Sequence, residues 1–219
     1  TKSIWKSLAK GFDEYHILAR SQTNKYSFSC EGNIYLHLVP KLTKKSKIFF
    51  FTSFWMFWII KKYKITHLLS QCPIIGGFTA VLASKFYKIP LLVEVNGRDY
   101  IRWDENNTAF GIIKRLQNFV FKNSMKVRYP NKEIKEFLVK NNIMNSCFIP
   151  HRVQHSLFKK QKENFEIEED KIKIISIGRF VWEKDYLFLI NTLQSLDINI
   201  ELTLIGGGPE KNKYISILD

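Results

Sequence analysis

Two cations and three glycines stand where apolar runs break. Ile172 to Ile177 is a nearly continuous β-branched run, Gly178 ends it, and Arg179 and Lys184 follow within a few residues. A second apolar run, Ile200 to Ile205, leads into Gly206-Gly207-Gly208-Pro209. A guanidinium, an ammonium and bare backbone N–H groups are the groups that suit a diphosphate. Asn96-Gly97-Arg98-Asp99 follows a third apolar run, Pro90 to Val95. Asparagine can donate and accept hydrogen bonds but cannot titrate, and Asn-Gly is also a strong turn dipeptide in its own right.

The elements that must carry these groups follow from periodicity. Ile172 to Ile177 and Ile200 to Ile205 read as strands buried on both faces of a parallel sheet. Asp185 to Leu196 reads as the helix between them, with Glu183 and Asp185 at its positive dipole end, and Pro209 opens a further helix. The order is strand, basic loop, helix, strand, glycine loop, helix. In a parallel sheet both loops fall at the carboxyl ends of strands, where α/β proteins bind ligands. Upstream, Tyr15 to Ala19, Asn33 to Val39, Ile65 to Ser70, Pro90 to Val95, Met125 to Tyr129 and Cys147 to Pro150 read as strands. Ser3 to Gly11, the AVLASKFY stretch before Ile89, Phe110 to Lys122 and Lys132 to Lys140 read as helices, and Ser21 to Gly32 as a loop. On Phe110 to Lys122 the apolar side is expected at Ile112, Ile113, Leu116, Phe119 and Val120. Strands alternating with helices predict a doubly wound parallel sheet. Lys159 to Lys171 is a charged, apolar-poor linker, dividing residues 1–158 from 172–219. His16 and His37, both in strands, are read as satisfied structural histidines. Gly76-Gly77 is read as a packing or turn feature near a helix start.

G-R-x-x-x-E-K followed by a strand ending in G-x-G-P resembles the start of the C-terminal domain of family 4 retaining glycosyltransferases. These are GT-B enzymes, with two Rossmann-like domains, that use nucleotide sugars. The resemblance implies that Arg179 and Lys184 bind the donor diphosphate beside the backbone of Gly206, Gly207 and Gly208. It places Asn96 and Asp99 at the catalytic, acceptor-side rim, where related enzymes have H-G-x-D. Asn96 replaces that histidine, which removes any step needing a titrating ring; front-face transfer with retention does not strictly need a protein base. Ile149-Pro150-His151-Arg152-Val153-Gln154, leading to Phe158, is similar to the family's I-P-N-G-V-D…F, with His151, Arg152 and Gln154 as departures. The loss of that glycine removes an easy left-handed turn. The resemblance further implies a GT-B arrangement in which 1–158 is the acceptor-side Rossmann-like domain and 172–219 the first βαβα of the donor domain. On that alignment an opening strand with its glycine-rich turn belongs before Thr1, and most of the donor domain after Asp219. The implied activity is transfer of a hexosyl group from a nucleotide-diphosphate sugar to a glycan or lipid-linked acceptor, in polysaccharide or glycoconjugate synthesis. No metal or other cofactor is expected.

Composition bounds the alternatives. The chain has 219 residues, with 34 basic and 20 acidic side chains and a net charge of +14, a surface that attracts anions. An RNA- or lipid-binding basic module is therefore a second reading, and an inactive transferase remnant a third. Nucleic acid is disfavoured because the aromatics cluster in apolar runs rather than interleaving with the cations. Cys30, Cys72 and Cys147 are odd in number and far apart, which suits a reducing, cytoplasmic setting. Ile48 to Ile60 is apolar or small throughout but falls short of the ~20 residues of a membrane span. It is expected to be a buried helix between sheet and solvent, with a peripheral contact to anionic membrane as the functional alternative. The sequence has no G-x-S-x-G, H-E-x-x-H or P-loop, so acyl hydrolysis and P-loop phosphoryl transfer find no support.

Overall fold

A computed structural model describes residues 2–40, 53–96, 110–151 and 171–218. The chain divides into two compact units, Thr1–Val153 and Gln154–Asp219.

The first unit opens with helix α1 (Lys2–Ala9) and strands β1 (Tyr15–Arg20), β2 (Ser27–Glu31) and β3 (Ile34–Val39). β3 sits centrally, parallel to β1 and antiparallel to β2. The stretch expected as loop thus holds a strand. Its five residues are all exposed, so no apolar alternation marks it, and backbone pairing to β3 alone makes it. Helix α2 (Trp55–Tyr63), β4 (Leu68–Ser70), α3 (Ile75–Tyr87), β5 (Leu91–Glu94), α4 (Phe110–Lys122), β6 (Lys126–Tyr129), α5 (Lys132–Lys140) and β7 (Ser146–Phe148) follow. β4 to β7 form a four-stranded, all-parallel sheet in sequence order. The expected single sheet is therefore two sheets among the described residues, one of them mixed. The parallel sheet with its interleaved helices is an α/β arrangement compatible with a Rossmann-like fold.

The core of this unit is built from both partners of that alternation. Leu91, Val93, Val95 and Val127 from the strands meet Ala80, Val81, Val120, Phe121, Ile134 and Leu138 from the helices. Burial of each of these Val, Leu, Ile and Phe side chains contributes about 1.5–3 kcal/mol. Gly76 and Gly77 lie at the start of α3. A Cβ at Gly77 would come within 2.7 Å of the Cys72 carbonyl and of Val120 on α4, so the glycine lets two helices close. The buried side of α4 is rotated from the expected one. Gln117, Val120 and Phe121 face inward, while Ile112 is 70% exposed. α5 begins at Asn131, whose side chain accepts from Ile134 N at 3.0 Å.

The second unit has β8 (Ile172–Ile177), a 3-10 turn (Trp182–Lys184), α6 (Tyr186–Gln194), β9 (Ile200–Ile205) and α7 (Lys211–Leu218). β8 and β9 pair in parallel over their full length. Asp185 is not in the first turn of the helix but is its N-cap, accepting from Phe188 N at 3.3 Å. Phe180, Tyr186, Ile190 and Tyr214 form the core, with Leu202 and Leu204 packed against it. The three rings meet edge to face with centroids 5.4–5.7 Å apart. The expectation of strands buried on both faces does not hold. Ile175, Ile177 and Ile205 remain exposed on the face away from this core.

Candidate ligand-binding rims

In the second unit the basic loop and the glycine loop lie side by side at the carboxyl end of β8 and β9. The parallel ladder simply continues into them. Gly178 N donates to Ile205 O at 3.0 Å, Phe180 N to Gly207 O at 2.9 Å, and Glu210 N to Phe180 O at 3.2 Å. Arg179 is thus held between two residues that bond across to the glycine loop or the strand end before it. The close approach explains two of the three glycines. A Cβ on Gly206 would stand 1.8 Å from Gly178 O, and one on Gly208, at φ 158°, 2.3 Å from Phe180 O. Gly207 has open space around it. So Gly206 and Gly208 serve loop against loop, and of the three only Gly207 has open space where a side chain would stand.

Arg179 and Lys184 are both exposed, and neither is paired with a carboxylate among the described residues. Lys184 N donates to Val181 O at 3.0 Å, which closes the 3-10 turn and fixes the backbone that carries the ammonium. Beneath the loops, Tyr214 donates to Glu210 Oε2 at 2.5 Å, and this hydrogen bond, then burial, pushes the phenol up to about 12. Glu210 therefore ties the Phe180 carbonyl, through its own N–H, to the aromatic core.

In the first unit the carboxyl ends of β5, β6 and β7 form a second rim. Asn96 lies there, half-buried; Asp99 lies outside the described residues, as do Gly97 and Arg98. The residue that organises this rim was not singled out from the sequence. Arg128, near the end of β6, is only 7% exposed. Its Nε donates to Ile149 O at 2.9 Å and its Nη2 to Pro150 O at 2.8 Å. Its Nη1 donates to Asn96 Oδ1 at 3.0 Å and reaches Glu94 Oε1 at 3.4 Å. One guanidinium thus joins the loops after β5 and β7. A charged residue between Val127 and Tyr129 in a short strand was the signal available for it. Burial, and then the Glu94 carboxylate, raise the pKa of Tyr15, so the start of β1 lies within electrostatic reach of the same rim. His151 is exposed beyond Pro150. Arg152, Val153, Gln154 and Phe158 lie outside the described residues, as does most of the apolar run from Ile48.

The part of that run that is described forms a helix with one buried and one exposed side. In α2, Ile59 and Ile60 are buried, whereas Trp55 and Trp58 are 39% and 45% exposed. Lys62 Nζ sits 4.7 Å from the centre of the Trp58 ring. No helix among the described residues is long and apolar enough to cross a membrane. Among them, too, no group of three or more His, Cys, Asp or Glu side chains could hold a metal ion.

The class that fold and rims define is an α/β protein whose candidate ligand groups stand at the carboxyl ends of parallel strands. Compared with known proteins, the chain matches no family model and no curated sequence.

Proposed function

We propose that this chain forms part of a retaining glycosyltransferase that moves a sugar from a nucleotide-diphosphate sugar to a glycan or lipid-linked acceptor. The observation that supports the reading is the pairing of the Arg179 loop with the Gly206–Gly208 loop at one end of a parallel strand pair. Arg179 and Lys184 supply positive charge there, and Gly207 supplies open backbone. Such fixed donors stabilise the diphosphate as negative charge builds on the departing nucleotide. In this reading Asn96 and Asp99 belong to the catalytic, acceptor side of the reaction. The exposed Trp55 and Trp58 with the lysines of α2 suit a peripheral contact with an anionic membrane, where a lipid-linked acceptor would be met.

The test is a screen of nucleotide-diphosphate sugars against the full-length protein, reading hydrolysis and transfer, with Lys184→Ala alongside. The expected result is turnover of at least one donor and a loss of about tenfold or more in the variant, the scale of a charged hydrogen bond. Parental kinetics in Lys184→Ala would rule out the proposed diphosphate role.

A further inference from the structure

One face of the β1–β3–β2 sheet holds four titratable side chains in a hydrogen-bonded row. Glu14 Oε2 lies 3.0 Å from His16 Nε2, His16 Nδ1 lies 3.0 Å from His37 Nε2, and His37 Nδ1 lies 2.9 Å from Tyr26 Oη. A neutral imidazole donates at one nitrogen and accepts at the other, while a carboxylate only accepts. With both rings neutral, Glu14 therefore sets the direction of the row. His16 donates to Glu14, His37 donates to His16, and the Tyr26 hydroxyl donates inward to His37. One added proton keeps all three bonds only if the outer end reverses: His37 Nδ1 then donates, and the Tyr26 oxygen accepts. The charge can rest on either ring, and the surroundings choose His16. Its Nε2 meets the Glu14 carboxylate, whose other oxygen accepts from Tyr35 at 3.4 Å. His37 is fully buried and feels Lys62 on α2; burial first, then His16 and Lys62, hold its pKa down to about 4. Tyr63 on α2 and Phe28 on β2 close over the rings, and Cys30 lies on the same side of β2, opposite Tyr35. Burial, then Tyr63, raise the Tyr26 pKa, so the phenol stays protonated throughout.

We propose that this row is a proton-driven switch: when His16 takes up a proton, the bonds beyond it reverse and the Tyr26 hydroxyl turns from an inward donor to an outward one. The step moves protons and no heavy atom. A solvent proton adds to the Tyr26 oxygen, the phenol's own proton passes to His37 Nδ1, and the proton on His37 Nε2 passes to His16 Nδ1. His37 ends neutral, as it began, with its proton on the other nitrogen. The row gains one positive charge, held on His16 against Glu14. What changes at the surface is the aromatic patch. Tyr26 stacks on Trp55 at 6.0 Å and meets Trp58 edge-on at 6.4 Å, and both indoles are exposed. With both rings neutral the phenol offers that patch an acceptor oxygen; after proton uptake it offers an O–H donor. A ligand that brings an acceptor oxygen to the patch gains a hydrogen bond there in acid. The switch does not depend on the transferase reading.

NMR of the full-length protein, with 15N in its histidines and 13C in its tyrosine rings, tests this from about pH 8 to 5, the range in which histidine ordinarily titrates. His16, His37 and Tyr26 are assigned by the signals missing from His16→Gln, His37→Gln and Tyr26→Phe. As pH falls, His16 is expected to become protonated at both nitrogens. With the same midpoint, His37 should stay neutral but exchange its protonated nitrogen, Nε2 for Nδ1, and the Tyr26 Cζ signal should shift. In His16→Gln the amide can still accept from His37 and donate to Glu14, but the charge has no place to rest. There His37 should keep its proton on Nε2 and Tyr26 should hold its shift across the whole range. A His16 that stays neutral throughout, a His37 that keeps Nε2–H while His16 titrates, or a Tyr26 that shifts equally in His16→Gln would each overturn the proposal. Should a variant fail to fold, through-space contacts of the two rings with Tyr26 and Tyr35 assign the parent, whose spectra suffice.

Discussion

His16 Nδ1 and His37 Nε2 stand 3.0 Å apart across the β1–β3 pair, and each ring is anchored on its far side. His16 Nε2 lies 3.0 Å from Glu14 Oε2, and His37 Nδ1 lies 2.9 Å from Tyr26 Oη. A carboxylate only accepts, so His16 Nε2 donates to Glu14, and in one arrangement that satisfies the whole chain its Nδ1 accepts. His37 Nε2 then donates and its Nδ1 accepts from the tyrosine. All three hydrogen bonds are then made with the His37 ring neutral. Protonating His37 would put a charge in a fully buried ring. Burial first, then His16 and Lys62, accordingly lower the His37 pKa to about 4. Between that value and the ordinary 6.5 the unfolded chain binds more protons than the folded one, so stability rises with pH across this window. It is fully present above pH 6.5 and is lost as pH falls toward 4, by at most about 1.4 kcal/mol per unit. Urea midpoints measured at pH 7.5, 6 and 5 should fall in that order, and His37→Gln should flatten the trend. A midpoint as high at pH 5 as at pH 7.5 would show that the ring is not held neutral.

Gly206 and Gly207 differ by one position and should differ sharply in tolerance. Alanine at Gly206 puts a methyl group 1.8 Å from the Gly178 carbonyl oxygen, which is backbone and cannot rotate aside. The loops must part, with loss of the Phe180–Gly207 bond, at a cost of about 1–3 kcal/mol. Gly207→Ala meets nothing within 4 Å and should leave the unfolding midpoint within about 0.5 kcal/mol of the parent. Gly207 is the open position, so on the proposed transferase reading its alanine should instead weaken nucleotide-sugar binding. Chemical denaturation followed by fluorescence of Trp182 checks the first pair of outcomes. Equal destabilisation by both substitutions would mean that the loops do not meet as described.

What was legible in the sequence was whatever local periodicity writes. The strands Ile172–Ile177 and Ile200–Ile205 and the helices Phe110–Lys122 and Lys132–Lys140 lie where β-branched runs or helical spacing put them. The parallel pairing and the placing of both loops at strand carboxyl ends followed from that order. What stayed hidden depended on distant partners. β2 has no buried side chain to write a pattern, and β4 begins only at Leu68, because α2 ends on Lys64 in a left-handed conformation that no glycine announced. The inward side of α4 takes Gln117 and leaves Ile112 outside, a choice made by the neighbouring helix rather than by hydropathy. The triple glycine was read as room for a ligand, whereas Gly206 and Gly208 are spent on the adjacent loop. Arg128 owes its role to residues 94, 96, 149 and 150, none of them near it in sequence.

The exposed tryptophans of α2 offer a last test, of the proposed membrane contact. Trp55 stacks on Tyr26 with planes 10° apart, and Trp58 meets the same ring edge-on, so the two indoles form one aromatic patch around Tyr26. Lys61, Lys62 and Lys64 follow directly, and aromatic rings beside ammonium groups match the headgroup zone of an anionic bilayer. Ile59 and Ile60 are buried and Met56 packs against the core, so α2 is held to the fold without the tryptophans. Trp55→Ser with Trp58→Ser should therefore leave a folded protein, with a stability loss of about 1–2 kcal/mol from the aromatic contacts. Sedimentation with phosphatidylserine-containing vesicles should fall severalfold in that variant. Binding of the parent should also weaken in 0.5 M salt, since the lysine part of the attraction is screened beyond about 4 Å at that ionic strength. Pelleting equal to the parent, in a variant that retains its circular dichroism, would remove the membrane from this face.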